Sequence, residues 1–233
     1  MFHPMDHPME RGWVGRVDGD RVIHLAAQTL QSFFTGGGSA REHAEYPLAG
    51  VRLLAPVLHP PAVRVFEDQT SFAFANPAAI VGPGANVAAP AAPSNSLLQG
   101  PLGLFPRLAG VVGADGAVAG FTAFADWRSA TSPPPKDRDF AFGIGPVVVT
   151  SDELDPVGVE AIVRVDGSEC LRSRFAEFDW AAARDHAAAG TTLRPGDLLA
   201  GTALGAVTVE PGADVELEIE GIGVLPQVVA LRH

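Results

Sequence analysis

Apolar and polar residues alternate most regularly near the end of the chain. From Asp214 to Glu220, Val215, Leu217 and Ile219 fall on one face and Glu216, Glu218 and Glu220 on the other. That period of two predicts a strand with one buried face. Two apolar stretches, Trp13–Val17 and Arg21–Leu25, flank Asp18-Gly19-Asp20 and predict a hairpin. Val159–Val165 and Glu169–Phe175 do the same across Asp166-Gly167, as do Leu108–Val112 and Ala117–Phe124 across Ala114-Asp115-Gly116. Val51–Val57, Phe72–Ile80, Pro146–Thr150, Asp197–Leu199 and Val207–Val209 read as further strands, and Gly82-Pro83-Gly84 as a tight turn. Helical signals are few. Ala26–Phe34 runs into Gly36-Gly37-Gly38, and Asp179–Ala189 has an acidic cap and ends at Gly190. Ala88–Pro101 is an Ala/Pro/Ser stretch and reads as an exposed loop. Many short strands with few helices predict a mainly β, α+β chain, closed or rolled. Residues 1–58 are expected as a small N-terminal β/α lobe and 59–233 as the main domain.

Composition narrows the function classes. With 233 residues and 47% hydrophobic positions, the chain has material for a sizeable core. The formal charge of −11 argues against nucleic acid and against an anionic membrane surface. No apolar run reaches the roughly 18–20 residues that span a bilayer. Met1–Trp13 lacks the apolar core of a signal peptide, and the single Cys170 rules out an intrachain disulfide, so a cytoplasmic protein is expected. Cys170 lies on a predicted strand and reads as a core residue. His3 and His7 stand in a Pro-rich head, and His24, His43, His59 and His186 show no ligand spacing.

Several motifs occur in a recognisable order. Thr191–Asp197 (TTLRPGD) is followed by Gly201-Thr202, then by Asp214–Gly223 (DVELEIEGIG). Upstream stand Gly120-Phe121-Thr122 with Asp126-Trp127, and Asp139-Phe140 with Gly145-Pro146 through Thr150 and Asp152-Glu153-Leu154. Phe74-Ala75-Asn76-Pro77 leads to Gly82-Pro83-Gly84. Over roughly residues 50–230 this order and spacing resembles the fumarylacetoacetate hydrolase family. The resemblance implies a β-rich fold around a mixed β-roll, usually a homodimer. It implies a small-molecule carbonyl or dicarbonyl acid whose carbon–carbon bonds are cleaved or rearranged. It also implies a divalent metal, usually Mg²⁺, held by an E-x-E pair on one strand and an Asp on the next.

Position by position, the residues depart from that site. Counted back from Gly113, the E-x-E positions fall on Phe105 and Arg107, and no carboxylate lies between Asp68 and Asp115 to restore the pair. Asp126 matches the Asp ligand, or is a hydrogen-bonded acid at a strand end. The lysine position, eight before Pro146, holds Arg138, with Lys136 nearby as a substitute or as part of a solvated loop. In Pro60–Phe66 the family's Asp is Val65 while Arg64 is kept. Glu67 and Asp68 are candidate bases, or an ordinary acidic loop. Thr202 matches a residue that touches substrate. The expectation is therefore a site without metal: Mg²⁺ possible but disfavoured, no other cofactor, Asp126, Arg107 and Arg138 catalytic. Thr202, Arg64, Phe105, Phe124 and Lys136 would contact substrate, or Phe105 and Phe124 are core packing and the arginines unrelated surface groups.

Three functions compete. The first is a metal-independent enzyme on a carbonyl compound, catalysing cyclisation, isomerisation or elimination, as in secondary metabolism. The second is a conventional metal-dependent hydrolase or decarboxylase. The third is a non-catalytic relative or subunit.

Overall fold

A computed structural model describes residues 1–35, 39–88 and 100–231. The Gly36–Gly38 helix stop and most of the Ala88–Pro101 loop lie outside the described residues. The N-terminal part holds β1 (Phe2–Pro4), β2 (Gly15–Asp18), β3 (Arg21–Ala26), α1 (Leu30–Phe34), β4 (Ser39–Pro47) and β5 (Val51–Leu53). The expected hairpin is β2–β3, turned at Gly19 with φ of +60°, and β4 extends it to three strands. β1 pairs with β5. The expected helix is shorter than its pattern. It starts where the Thr29 hydroxyl accepts from Ser32 N at 3.0 Å.

Two sheets make up the rest. The larger curls in the order β7 (Ser71–Ala75), β6 (Val63–Asp68), β15 (Leu198–Ala200), β10 (Leu102–Val112), β11 (Val118–Ser129), β12 (Phe142–Thr150), β8 (Ile80–Val81), with β16 (Val207–Val209) also on β10. The smaller runs β14 (Ser168–Arg174), β13 (Glu160–Val165), β17 (Asp214–Ile219), β18 (Gly223–Val229), β9 (Ala85–Val87). α2 (Trp180–Ala188) is capped by Asp179, whose carboxylate accepts from Ala182 N at 2.9 Å.

The central hairpin β10–β11 is buried on both faces, which explains its long apolar run. One face carries Leu102, Leu104, Leu108, Phe121, Ala123, Ala125 and Trp127 into a core shared with Val163 of β13 and Val215, Leu217 and Ile219 of β17. The alternation in Asp214–Ile219 is therefore the inner face of the smaller sheet, as expected. Trp127 is wholly buried and its indole N–H donates to Gln227 Oε1 at 2.8 Å, tying β11 to β18. The opposite face of the hairpin looks into the curl, where Ala109, Val111 and Phe124 pack with Val63, Val65, Phe142 and Ile144. Cys170 corrects an expectation: it lies on the outer side of β14, exposed, among charged neighbours rather than in the core. Among the described residues no helix is long and apolar enough to cross a membrane.

Candidate functional site

Directly opposite residues of an antiparallel pair share a face. Phe105 faces Asp126, Arg107 faces Phe124, and Gly103 faces Arg128 across β10–β11. These residues therefore line the inner side of the curl. Pro106 sits between the stretches of β10 that pair with β16 and β15, so its missing N–H breaks no ladder bond there. In the same gap the chain leaves β15 at Gly201 and turns its carbonyl inward.

Arg107 and Asp126 are each 1% exposed and directly paired: Arg107 Nε donates to Asp126 Oδ2 at 3.1 Å. Arg107 Nη1 donates to Phe66 O at 2.7 Å and to Gly201 O at 2.8 Å. Its Nη2 lies 3.6 Å from Glu67 Oε2. One guanidinium thus joins β10, β11, the end of β6 and the segment after β15. Burial lowers the Arg107 pKa, with Asp126 and Glu67 acting against it, yet a guanidinium stays charged at neutral pH.

The cluster continues outward. Arg128 donates to Asp126 Oδ2 through Nη2 at 2.8 Å and Nε at 3.2 Å, and through Nη2 to Glu67 Oε1 at 3.1 Å. Its guanidinium lies 4.3 Å above the Phe105 ring, a cation–π contact worth about 0.5–1 kcal/mol at a partly exposed site. Arg138 Nη1 reaches Glu67 Oε1 at 3.4 Å. Glu67 lies where the β6–β7 register shifts, and such a bulge re-aims a side chain toward a site. Partial burial pushes the Glu67 carboxyl up, but Arg107, Arg128 and Arg138 together outweigh that and hold it below the usual carboxylate range. In Arg128, partial burial lowers the pKa and the bonds to Asp126 and Glu67 raise it further than burial lowers it.

The structure brings Asp126, Arg107, Arg138 and Phe105 together. It does not bring the other expected residues to the cluster. Arg64 pairs instead with Asp197, Nη1 to Oδ2 at 3.2 Å, both nearly fully buried. Thr202 lies on the far face of β10, in a narrow cleft with Leu108, Phe175, Phe178 and Trp180. Phe124 shares the face of Arg107 but is fully buried, 5.6 Å from the Phe142 ring centre. Lys136 is 66% exposed and bonds Asp139 at 2.7 Å. Of the cluster's other members, Glu67 is one of the two candidate bases of the acidic loop, and Arg128 is a residue that the sequence reasoning does not single out. Arg128 was within reach of the period-two rule, being two residues beyond Asp126 on the same strand face.

A divalent metal does not fit these donors. The paired acidic positions carry a phenyl ring and a guanidinium, and Asp126 Oδ2 already accepts three N–H groups. Among the described residues, no group of three or more His, Cys, Asp and Glu side chains converges. Mg²⁺ fills part of its shell with water but is anchored by one or two carboxylates, and here Asp126 and Glu67 are each engaged by guanidinium groups.

Residues 41–230 match the family model described as fumarylacetoacetate (FAA) hydrolase C-terminal. The Mycobacterium tuberculosis protein Rv2993c is 31% identical, the match covering 80% of this chain and 82% of that protein. The maleylpyruvate hydrolase of Sphingobium sp. SYK-6, solved with manganese(II) and pyruvate, superposes with a TM-score of 0.77 at 22% identity over 95% of this chain and 97% of its own. The 5-carboxymethyl-2-hydroxymuconate delta-isomerase of Mycobacterium smegmatis gives 0.72 at 27% identity over 94% of each chain. With the family model spanning most of the sequence and the curled sheet shared with these structures, the chain belongs to the fumarylacetoacetate hydrolase family.

Proposed function

We propose that this chain acts on a small carbonyl acid at the arginine cluster, without a divalent metal, by stabilising an enolate. One observation carries the reading: Arg107, Arg128 and Arg138 converge on Glu67, a carboxylate whose side chain is 47% exposed. The chemistry requires positive charge where a carbonyl oxygen becomes an enolate oxygen. Guanidinium groups in a partly dehydrated site supply it. Asp126 is buried and takes three N–H bonds, so it orients Arg107 and Arg128 rather than exchanging protons. Glu67 is the carboxylate within reach of solvent and substrate, and so the proton acceptor. In the step, the C–H bond beside the carbonyl breaks and the proton passes to Glu67. The electron pair moves to the carbonyl oxygen, held by Arg128 or Arg138. Where a carbon–carbon double bond is conjugated with the enolate, the electron pair returns from the oxygen to the far carbon, which takes the proton from Glu67, and the substrate is isomerised with no co-reactant. The apolar Phe105 ring under Arg128 favours a ligand with an apolar body beside its carbonyl.

A second reading, a non-catalytic relative, is favoured by the complete engagement of Arg107. Deuterium exchange beside the carbonyl of pyruvate and other 2-oxo acids, followed by NMR in D₂O with excess chelator, separates the readings. Exchange that persists with chelator and falls at least about tenfold in Arg128→Ala is expected, the loss of one charged stabilising group. Exchange that requires added Mg²⁺ or Mn²⁺ would return the protein to the metal-dependent chemistry of its family. No exchange under either condition would favour the non-catalytic reading.

A further inference from the structure

The geometry points to Glu67 as the resident anion of a carboxylate-binding subsite: a ligand carboxylate takes its place on Arg128 and Arg138, and the released Glu67 becomes the base. The inference deepens the enolisation reading and rests on it for the second half only. The first half concerns binding and stands by itself.

Charge balance is the first argument. The cluster contains the cations Arg107, Arg128 and Arg138 and the anions Asp126, Glu67 and Asp137, the last 3.7 Å from Arg138 Nε. Lys136 is already paired with Asp139 and adds no free cation. A further anion would meet a neutral cluster, and burying an unpaired charge is expensive. Exchanging one carboxylate for another keeps the balance. An acid ligand therefore has to replace a carboxylate that is already present.

Only one of the two central carboxylates is replaceable. Asp126 is 1% exposed within β11, behind Arg107 and Arg128. Glu67 has 47% of its side chain exposed and lies one residue from the β6–β7 turn. That turn is held without it, because Asp68 Oδ1 accepts from Thr70 N at 2.8 Å and from Thr70 Oγ1 at 2.9 Å. Glu67 can leave by side-chain rotation alone, with no backbone to move. What it leaves behind is built: Arg128 fixed by Asp126 and stacked on Phe105, with Arg138 beside it. A planar guanidinium held in this way suits a carboxylate better than a mobile lysine does.

Release also changes Glu67. While it sits on the guanidinium groups it is held as a weak base. Once the ligand carboxylate takes them over, that hold is lost and its proton affinity rises toward that of an ordinary glutamate. Ligand binding would thus arm the base.

The test uses the full chain and pyruvate, which carries a single negative charge, as probe, by isothermal titration calorimetry at pH 7.5. Glu67→Gln removes the resident charge and keeps the shape. It is expected to bind pyruvate about tenfold tighter than the wild type, while Arg138→Ala binds about fivefold weaker. Tight binding by Glu67→Gln with none detectable in the wild type would support the same conclusion. Equal or weaker binding by Glu67→Gln, or no binding by either protein, would overturn it. Unchanged thermal melting of Glu67→Gln confirms that the fold is intact. The two readings fail separately. Tighter pyruvate binding without any deuterium exchange by the wild type sinks the enolisation proposal and keeps the subsite. Exchange without tighter binding does the reverse.

Discussion

Two buried arginine–carboxylate pairs lie on the same curled sheet and are built to different ends. Arg107–Asp126 is fully engaged: its guanidinium bonds a carboxylate and two backbone carbonyls, and Glu67 and Arg128 carry the network out to solvent. Arg64–Asp197 is sealed. Arg64 stands on β6 beside Leu199 of the parallel β15, and Asp197 caps its own turn by accepting from Arg194 N at 3.1 Å. The Arg64 guanidinium lies under the rings of Phe72 and Phe74, at 5.8 and 5.4 Å. Arg64 Nε and Asp197 Oδ1 find no partner among the described residues. A buried ion pair is weak evidence of function by itself, because such pairs also serve as local fasteners. What distinguishes the first pair is its path to the surface through a carboxylate that can move.

The largest effect that would break this comparison is on stability. Arg107→Ala leaves Asp126 its bonds from Arg128 but takes a charged donor from two buried carbonyls, Phe66 O and Gly201 O, as well, and removing one member of such a network costs about 3–5 kcal/mol. Arg64→Ala frees Asp197, which keeps its bond from Arg194 N, and its expected cost is smaller, about 2–3 kcal/mol on the same scale. Urea unfolding of both variants decides the order. An Arg64→Ala loss equal to that of Arg107→Ala would mean that the two pairs are equivalent fasteners.

The difference between the pairs was only partly visible in the sequence. The E-x-E and Asp positions counted from Gly113 and Trp127 placed Phe105, Arg107 and Asp126 together because the backbone register of β10–β11 carries that spacing whatever the side chains are. Arg64 was grouped with them because sequence order cannot say which face of a strand buried on both sides a residue takes. Val63–Asp68 is buried on both faces over its first four residues, so a period-two pattern marks no strand there and leaves Glu67 in what reads as an acidic loop. β4 shows no apolar pattern to read, because its exposed acids, Glu42 and Glu45, are paired with Arg16 of β2 and Arg21 of β3. β18 was missed because Pro226 interrupts it. The structure tolerates that proline because the β9 ladder begins only at Gln227. The regular alternation of Asp214–Ile219 and the Asp-Gly turns were legible because they are local.

A smaller effect follows from acid titration. Glu67 has a folded pKa below its ordinary value near 4.5. Between the two values the unfolded chain binds more protons, so stability rises with pH there. The contribution is present above pH about 4.5 and is lost as pH falls through the folded pKa. Solvent screening keeps it modest, since nearly half the side chain is exposed. Thermal melting from pH 3 to 6 should therefore show a steeper acid decline for the wild type than for Glu67→Gln. Parallel curves would mean that the arginines do not hold Glu67 in solution, and the outward branch of the network would lose its basis.

The smallest effect concerns the edge of the cluster. Lys136 was the alternative to Arg138 at the lysine position, so the two should behave differently if the network ends at Arg138. Lys136 is mostly solvated, and its one ion pair is with Asp139, three residues on in the same loop. An exposed pair of this kind contributes between nothing and about 1 kcal/mol, because water already solvates both charges and ordering two long side chains costs entropy. Arg138, by contrast, touches Glu67 and so belongs to the anion subsite. Lys136→Ala should shift stability by less than about 0.5 kcal/mol and leave pyruvate binding and deuterium exchange at wild-type levels. The check is a paired measurement with Arg138→Ala under the same conditions. If Lys136→Ala weakens binding as much as Arg138→Ala, the subsite draws on the general field of the loop. The Arg138–Glu67 contact would then lose its claim to mark where the ligand carboxylate sits.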